Sequence, residues 1–191
     1  MEFQHVNIKI FVDGELSMDL EQFIVVFHRW VAEQSVDELL IDVADYRHVP
    51  NGPGVVLVGH EADYAMDNTG GRWGLVYNRK APVDGSNGDR FGQAVRSAAI
   101  ACQTLESAFS SEPTLKFRRD EFALIINDRA LAPNTAATLA AMKPELENYL
   151  KRVLGHDDFS LDHNDNPRDR FGVAVKMNKP FDLAALAGTA S

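Results

Sequence analysis

The chain has a single cysteine, Cys102, so no internal disulfide framework can hold it together. It also lacks any apolar run close to the roughly 18 residues that a membrane span needs. Its most apolar stretch, Phe23 to Trp30, is interrupted by His28 and Arg29. The first residues, MEFQHVNIKIF, show no basic start followed by an apolar segment, so no secretory signal is read there. Positive charge is scarce as well: 19 Lys+Arg stand against 28 Asp+Glu, for a net charge of −9. Binders of a phosphate backbone generally carry a basic face. No cluster of aromatics among basic residues suggests single-stranded nucleic acid either. The expectation is a soluble cytoplasmic protein with neither nucleic acid nor membrane as a partner.

What is present suits a folded domain. The 191 residues are enough for one well-filled core, and 45% hydrophobic with 25% charged residues is ordinary globular usage. No Pro/Gly/Ser-rich linker divides the chain, which reads as one domain over 1–178 with an Ala-rich tail at 179–191. The charge is unevenly spread. Residues 1–69 carry thirteen acids and three bases, whereas residues 70–134 carry seven acids and nine bases. The middle third can hold a small anion, or simply pair with the acidic first third.

Periodicity predicts the elements. Val6, Ile8, Ile10 and Val12 alternate as in a half-buried strand. Ser17 or Asp19 can cap a helix to about Gln34, with Leu20, Phe23, Ile24, Phe27, Trp30 and Val31 on one stripe. Leu39 to Ala44 reads as a central strand, and strand–helix–strand suggests a crossover with the first two strands parallel. Pro53-Gly54 fits a type II turn. Val55–Val58 and Trp73–Tyr77 are too close for intervening helices, so an antiparallel meander is expected. A helix runs from the 84–89 loop to about Phe109, a strand covers Leu115–Ile126, and Thr135 opens a third helix. Pro144 should mark the first turn of a second helical piece. Phe159/Leu161 and Phe171 to Met177 form a hairpin. The fold class is α+β: a mixed, partly antiparallel sheet of about six to seven strands packed by three main helices.

Candidate chemistry concentrates in residues 45–92. If GHEADYAMDN, residues 59–68, is helical, His60, Asp63, Tyr64 and Asp67 share a face, and His60, Asp63 and Asp67 can ligate a divalent cation. Glu61 would then be a general base. HExxH is absent, and no metal is required by any motif. The competing reading is a polar loop with its acids in water. Asp45, which follows the apolar run containing Asp42, is a further catalytic candidate. His48, Tyr64, Arg79, Lys80 and Arg90 are ligand-binding candidates, Arg90 because it stands near a helix N-terminus that can attract an anion. The loop there matches neither GxGxxG nor GxxxxGK[ST], so no cofactor is assigned. Residues 161–169 are rich in oxygen side chains but lack the glycine and glutamate of a calcium loop, and read as a turn. Cys102 sits on an apolar helical stripe as an inert thiol.

Three functions fit. The first is a small anionic ligand bound or transformed at 45–92. The second is a non-catalytic homo-oligomeric assembly or adaptor protein. The third is a metal-dependent enzyme using His60, Asp63 and Asp67. Clustering of Asp45, His48, His60, Tyr64, Arg79 and Lys80 around one pocket would favour the first.

Overall fold

A computed structural model of the chain describes residues 1–111 and 114–188. The alternating N-terminal segment forms β1 (Val6–Val12), and all seven of its residues are buried. Helix α1 (Leu20–Glu33) follows, with Asp19 accepting from the Glu21 N–H as its N-cap. Then come four strands in a meander: β2 (Leu40–Tyr46), β3 (Gly54–Gly59), β4 (Ala62–Asp67) and β5 (Gly74–Arg79). Helix α2 (Asn87–Ala108) starts at a capping box in which Ser86 and Asp89 satisfy each other's backbone N–H groups. The rest of the chain supplies β6 (Phe117–Ile126), α3 (Ala136–Leu154), β7 (Phe159–His163), β8 (Gly172–Met177) and the one-turn α4 (Leu183–Leu186).

The eight strands make one sheet in the order β2-β3-β4-β5-β1-β6-β8-β7, and every adjacent pair is antiparallel. The sheet is therefore antiparallel throughout rather than mixed. β1 and β2 do run in the same sense, but three strands separate them. The apolar run at Leu39–Ala44 is an edge strand instead of a central one, with Leu39 57% and Ile41 55% exposed. Its register slips between Leu40 and Asp42, so Ile41 is a bulge residue turned out of the pairing. β1 lies inside the sheet, paired with β5 on one side and β6 on the other.

Helices α1 and α2 lie on the face that carries Ile8, Ile10, Tyr64, Leu75 and Tyr77. Trp30 of α1 packs edge-on against Tyr64, and Gln93 of α2 bonds the Tyr77 hydroxyl. Alanines 94, 98, 99 and 101 are buried and let α2 approach closely. α3 packs on α2 through Phe91 and Tyr149. Pro144 lies inside one continuous α3 rather than at the start of a second piece. It sits on the exposed side, where water can meet the carbonyl that its missing N–H leaves free. Gly54 holds a φ of +62, and a Cβ there would stand 2.4 Å from the Met66 carbonyl, so β3 and β4 can approach only because residue 54 is glycine.

The segment after β8 lies on the core. Phe181 meets Phe122 edge-on, and Leu183, Leu186 and Ala187 are buried. Residues 189–191 of the Ala-rich tail fall outside the described residues. Among the described residues no helix is long and apolar enough to cross a membrane.

Candidate functional site

The alternation of β4 and β5 decides which sequence candidates can meet. Tyr64 and Tyr77 face each other across the two strands, as do Ala62 and Arg79, and all point to the helical side. Asp63 and Asp67 point to the other side. The 59–68 segment is thus a tight β3–β4 hairpin, not a helix, and His60, Asp63, Tyr64 and Asp67 do not share a face. His60 is exposed in the turn, 3.6 Å from Glu61. Asp63 is bound by Lys80 at 2.7 Å, and Asp67 by Lys9 at 2.7 Å. Among the described residues no group of three or more His, Cys, Asp or Glu side chains is placed to hold a metal ion.

The remaining candidates disperse as well. Asp45 lies near the end of β2 and His48 in the turn that follows. Asp45 takes Nε and Nη2 of Arg47, and these bonds pull its carboxyl down to about 2. His48 stacks beside Tyr46. Lys80 is spent on Asp63 and the Gly59 carbonyl. Arg90 is buried and ties the N-terminal segment down through Glu2, Asn87 and the Val83 carbonyl. The α2 N-terminus is filled by its own capping box. Asp42 is exposed and accepts from the Val43 N–H. Cys102 is buried, which raises its thiol well above the usual value. Of these candidates Tyr64, Arg79 and Glu61 line the two clefts that share Glu38.

Glu38 stands just before β2 and is 6% exposed. Its carboxylate accepts from the Tyr64 hydroxyl at 2.5 Å, the Tyr77 hydroxyl at 2.9 Å and the Ser97 hydroxyl at 3.3 Å. Gln93 in turn donates to the Tyr77 hydroxyl at 2.6 Å. Among the described residues no lysine or arginine pairs with this carboxylate. Two clefts of about 200 and 290 Å³ open beside it and share Asp37, Glu38 and Ser97. Arg79 lines the second, with its guanidinium on the Ala81 and Pro82 carbonyls and no carboxylate partner among the described residues. Arg96, also on that cleft, pairs with exposed Asp37 at 3.0 Å.

No protein-family model, curated protein or solved structure matches this chain.

A larger depression, about 440 Å³, lies beyond β1 around Phe11, Arg72 and Arg118. Its cations are already neutralised: Arg72 forks onto Glu121 with two bonds of 2.9 Å, and Arg118 binds Asp120 at 2.7 Å. Glu38 differs because its charge is met by hydroxyls alone. A buried carboxylate is costly unless it is paired or fully hydrogen-bonded, and groups held this way are candidates for function.

The same burial acts on the tyrosines. Tyr64 is pushed far above its ordinary value, first by burial and then by the Glu38 charge. Tyr77 is pushed up to about 12, again by burial first and Glu38 second, against the bonds from Gln93 and Arg79. Tyr149 is raised by burial. A group whose folded pKa lies above its unfolded value near 10 stabilises the fold fully below that value and loses this as pH rises through the folded one. Stability should therefore fall between about pH 10 and about pH 12, with the three buried rings ionising only as the fold opens. In a Tyr46→Phe background, which leaves only the three buried rings, tyrosinate absorbance and far-UV circular dichroism should change together. A tyrosinate signal from Tyr77 that precedes loss of the fold would contradict this.

Proposed function

We propose that the chain binds a small anion that also carries a hydrogen-bond donor, in the cleft between Glu38 and Arg79. The observation that carries this reading is a buried carboxylate without a cation beside an arginine without a carboxylate, on one open cleft. Glu38 accepts from the donor, and Arg79 meets the anionic group with its planar fork. Glu61, Gln93 and Ser97 line the same cleft. An α-hydroxy or α-amino carboxylate has both groups within a few bonds of each other.

Isothermal titration of the full chain with lactate, glycerate and alanine tests this. At least one should bind saturably, and Glu38→Gln and Arg79→Ala should each weaken binding by about tenfold or more, the scale of one charge-assisted hydrogen bond. Binding by none, or binding indifferent to both substitutions, sinks the proposal.

The second reading, homo-oligomeric assembly, is favoured by one observation. The β2 edge exposes Leu39, Ile41, Tyr46 and Val49, and an open strand edge with apolar side chains is a template for pairing. Sedimentation of the chain beside Ile41→Lys separates the two readings, since only assembly through this edge makes that substitution dissociate an oligomer.

A further inference from the structure

The sheet face away from α1 and α2 holds a second cleft, of about 180 Å³, that shares no residue with the Glu38 site. Its floor is aliphatic and small-sided: Val56, Ala65 and Val76 come from β3, β4 and β5, cross-strand neighbours on the same face. Asn7 and Asn78 stand directly opposite each other on β1 and β5 and line the same cleft.

Asn7 is 2% exposed, and its side-chain carbonyl has no hydrogen-bond partner among the described residues. The Asn78 side-chain carbonyl, also buried, has none either. A buried polar group without a partner is destabilising, and here two stand on adjacent strands. Buried strand positions are ordinarily filled by apolar residues. Two acceptors without a partner, on residues that line a cleft, call for a donor from outside the chain.

The charges around them select the kind of donor. Asp63 and Asp67 lie on the cleft, but Lys80 and Lys9 already neutralise them at 2.7 Å each. Arg170 at the rim bonds only the Asn127 side-chain carbonyl and has no carboxylate partner among the described residues. The balance of these five groups is one positive charge, which disfavours a metal cation or an amine. A hydroxyl group meets the need, because it donates to an amide carbonyl and accepts from a guanidinium. The aliphatic floor matches the C–H face of a small ring. The volume equals about six waters at about 30 Å³ each, so one ring fits rather than a chain.

We infer that this cleft is a binding site for a small polyhydroxylated ring, of the size of a monosaccharide or cyclitol, held by Asn7, Asn78 and Arg170. The side-chain amide signals of Asn7 and Asn78 in ¹H–¹⁵N spectra of the full chain provide a direct readout. Glucose, myo-inositol and galacturonate are titrated separately, with calcium chloride as the contrasting probe. At least one polyol should shift both amide pairs saturably, and calcium should not. Asn7→Val should abolish the response and raise the melting temperature, because it removes an unpartnered carbonyl from a β-strand. Arg170→Ala, at an exposed rim position that the fold does not depend on, should weaken binding about tenfold. Silence from all three polyols, a response to calcium in their place, or affinity unchanged in Arg170→Ala would overturn the inference. So would an Asn7→Val protein that is markedly less stable.

Discussion

Lys9→Met is expected to destabilise the protein by about 3 kcal/mol, the lower end of what breaking a buried ion pair costs. Lys9 lies on the central strand, and its Nζ bonds Asp67 at 2.7 Å and the Thr69 carbonyl at 3.0 Å. The two charged side chains are 6% and 11% exposed. Burial lowers the Lys9 pKa, and the bond and charge of Asp67 oppose that, so the ammonium depends on this partner. With methionine at position 9, Asp67 keeps only the N–H and hydroxyl of Thr69. The carboxylate is then buried without a countercharge. In a chain of this length the loss corresponds to a drop in melting temperature of about 6–12 °C. Lys9→Met/Asp67→Asn should recover most of it, since the amide still accepts from Thr69 and carries no charge. A double-mutant cycle by urea denaturation measures this, and a coupling below about 0.5 kcal/mol would show that the pair does not act as a unit.

Glu38→Ala is expected to cost a similar amount, about 3 kcal/mol, for a different reason. The substitution removes no ion pair. It leaves the hydroxyls of Tyr64, Tyr77 and Ser97 without their acceptor, and each such loss costs on the order of 1 kcal/mol where water can reach the vacated space. The two adjoining clefts provide that access. Glu38→Gln should stay within about 1 kcal/mol of the parent: the amide carbonyl still accepts, and a buried charge is gone. Its signature is electrostatic. Without the Glu38 charge the Tyr77 pKa should move down from about 12, while the part owed to burial remains. Parallel denaturation curves of the two variants distinguish these roles. Equal destabilisation by alanine and glutamine would mean that the charge itself, rather than the acceptor, holds the three hydroxyls.

These two sites were legible in the sequence to different degrees. Lys9 interrupts an alternating strand, and a polar residue there reads as solvent-facing. It is buried because β5 and β6 flank it and Asp67 reaches it from a segment 58 residues away. In the sequence Glu38 is a single acid before an apolar run. One signal pointed to it: Tyr64 and Tyr77 lie among apolar strand residues, and a buried tyrosine hydroxyl needs a partner. The sequence reading joined Tyr64 and Arg79, which line the clefts beside Glu38, to His48, Asp45 and Lys80, which lie elsewhere. The helical reading of 59–68 failed because two polar residues at i and i+4 share a face in both a helix and a strand. Only the intervening residues decide, and Tyr64 and Met66 are buried opposite Asp63 and Asp67.

The string DRFG occurs twice and shows the limit of local reading. At 89–92 it opens α2, and at 169–172 it leads into β8; Phe91 and Phe171 are both buried. By itself the sequence determined the α+β class, the positions of most elements, the antiparallel course of the strands at 55–58 and 73–77 and the capping of α1, because periodicity, turn residues and caps act within a few residues. Tertiary structure decided that the sheet is antiparallel throughout, that β1 is its centre and β2 its edge, and that Glu38 and Asn7 are buried. Those outcomes depend on contacts between residues many tens of positions apart. There the burial of one side chain is set by which strand lies beside it, and no local pattern encodes that choice.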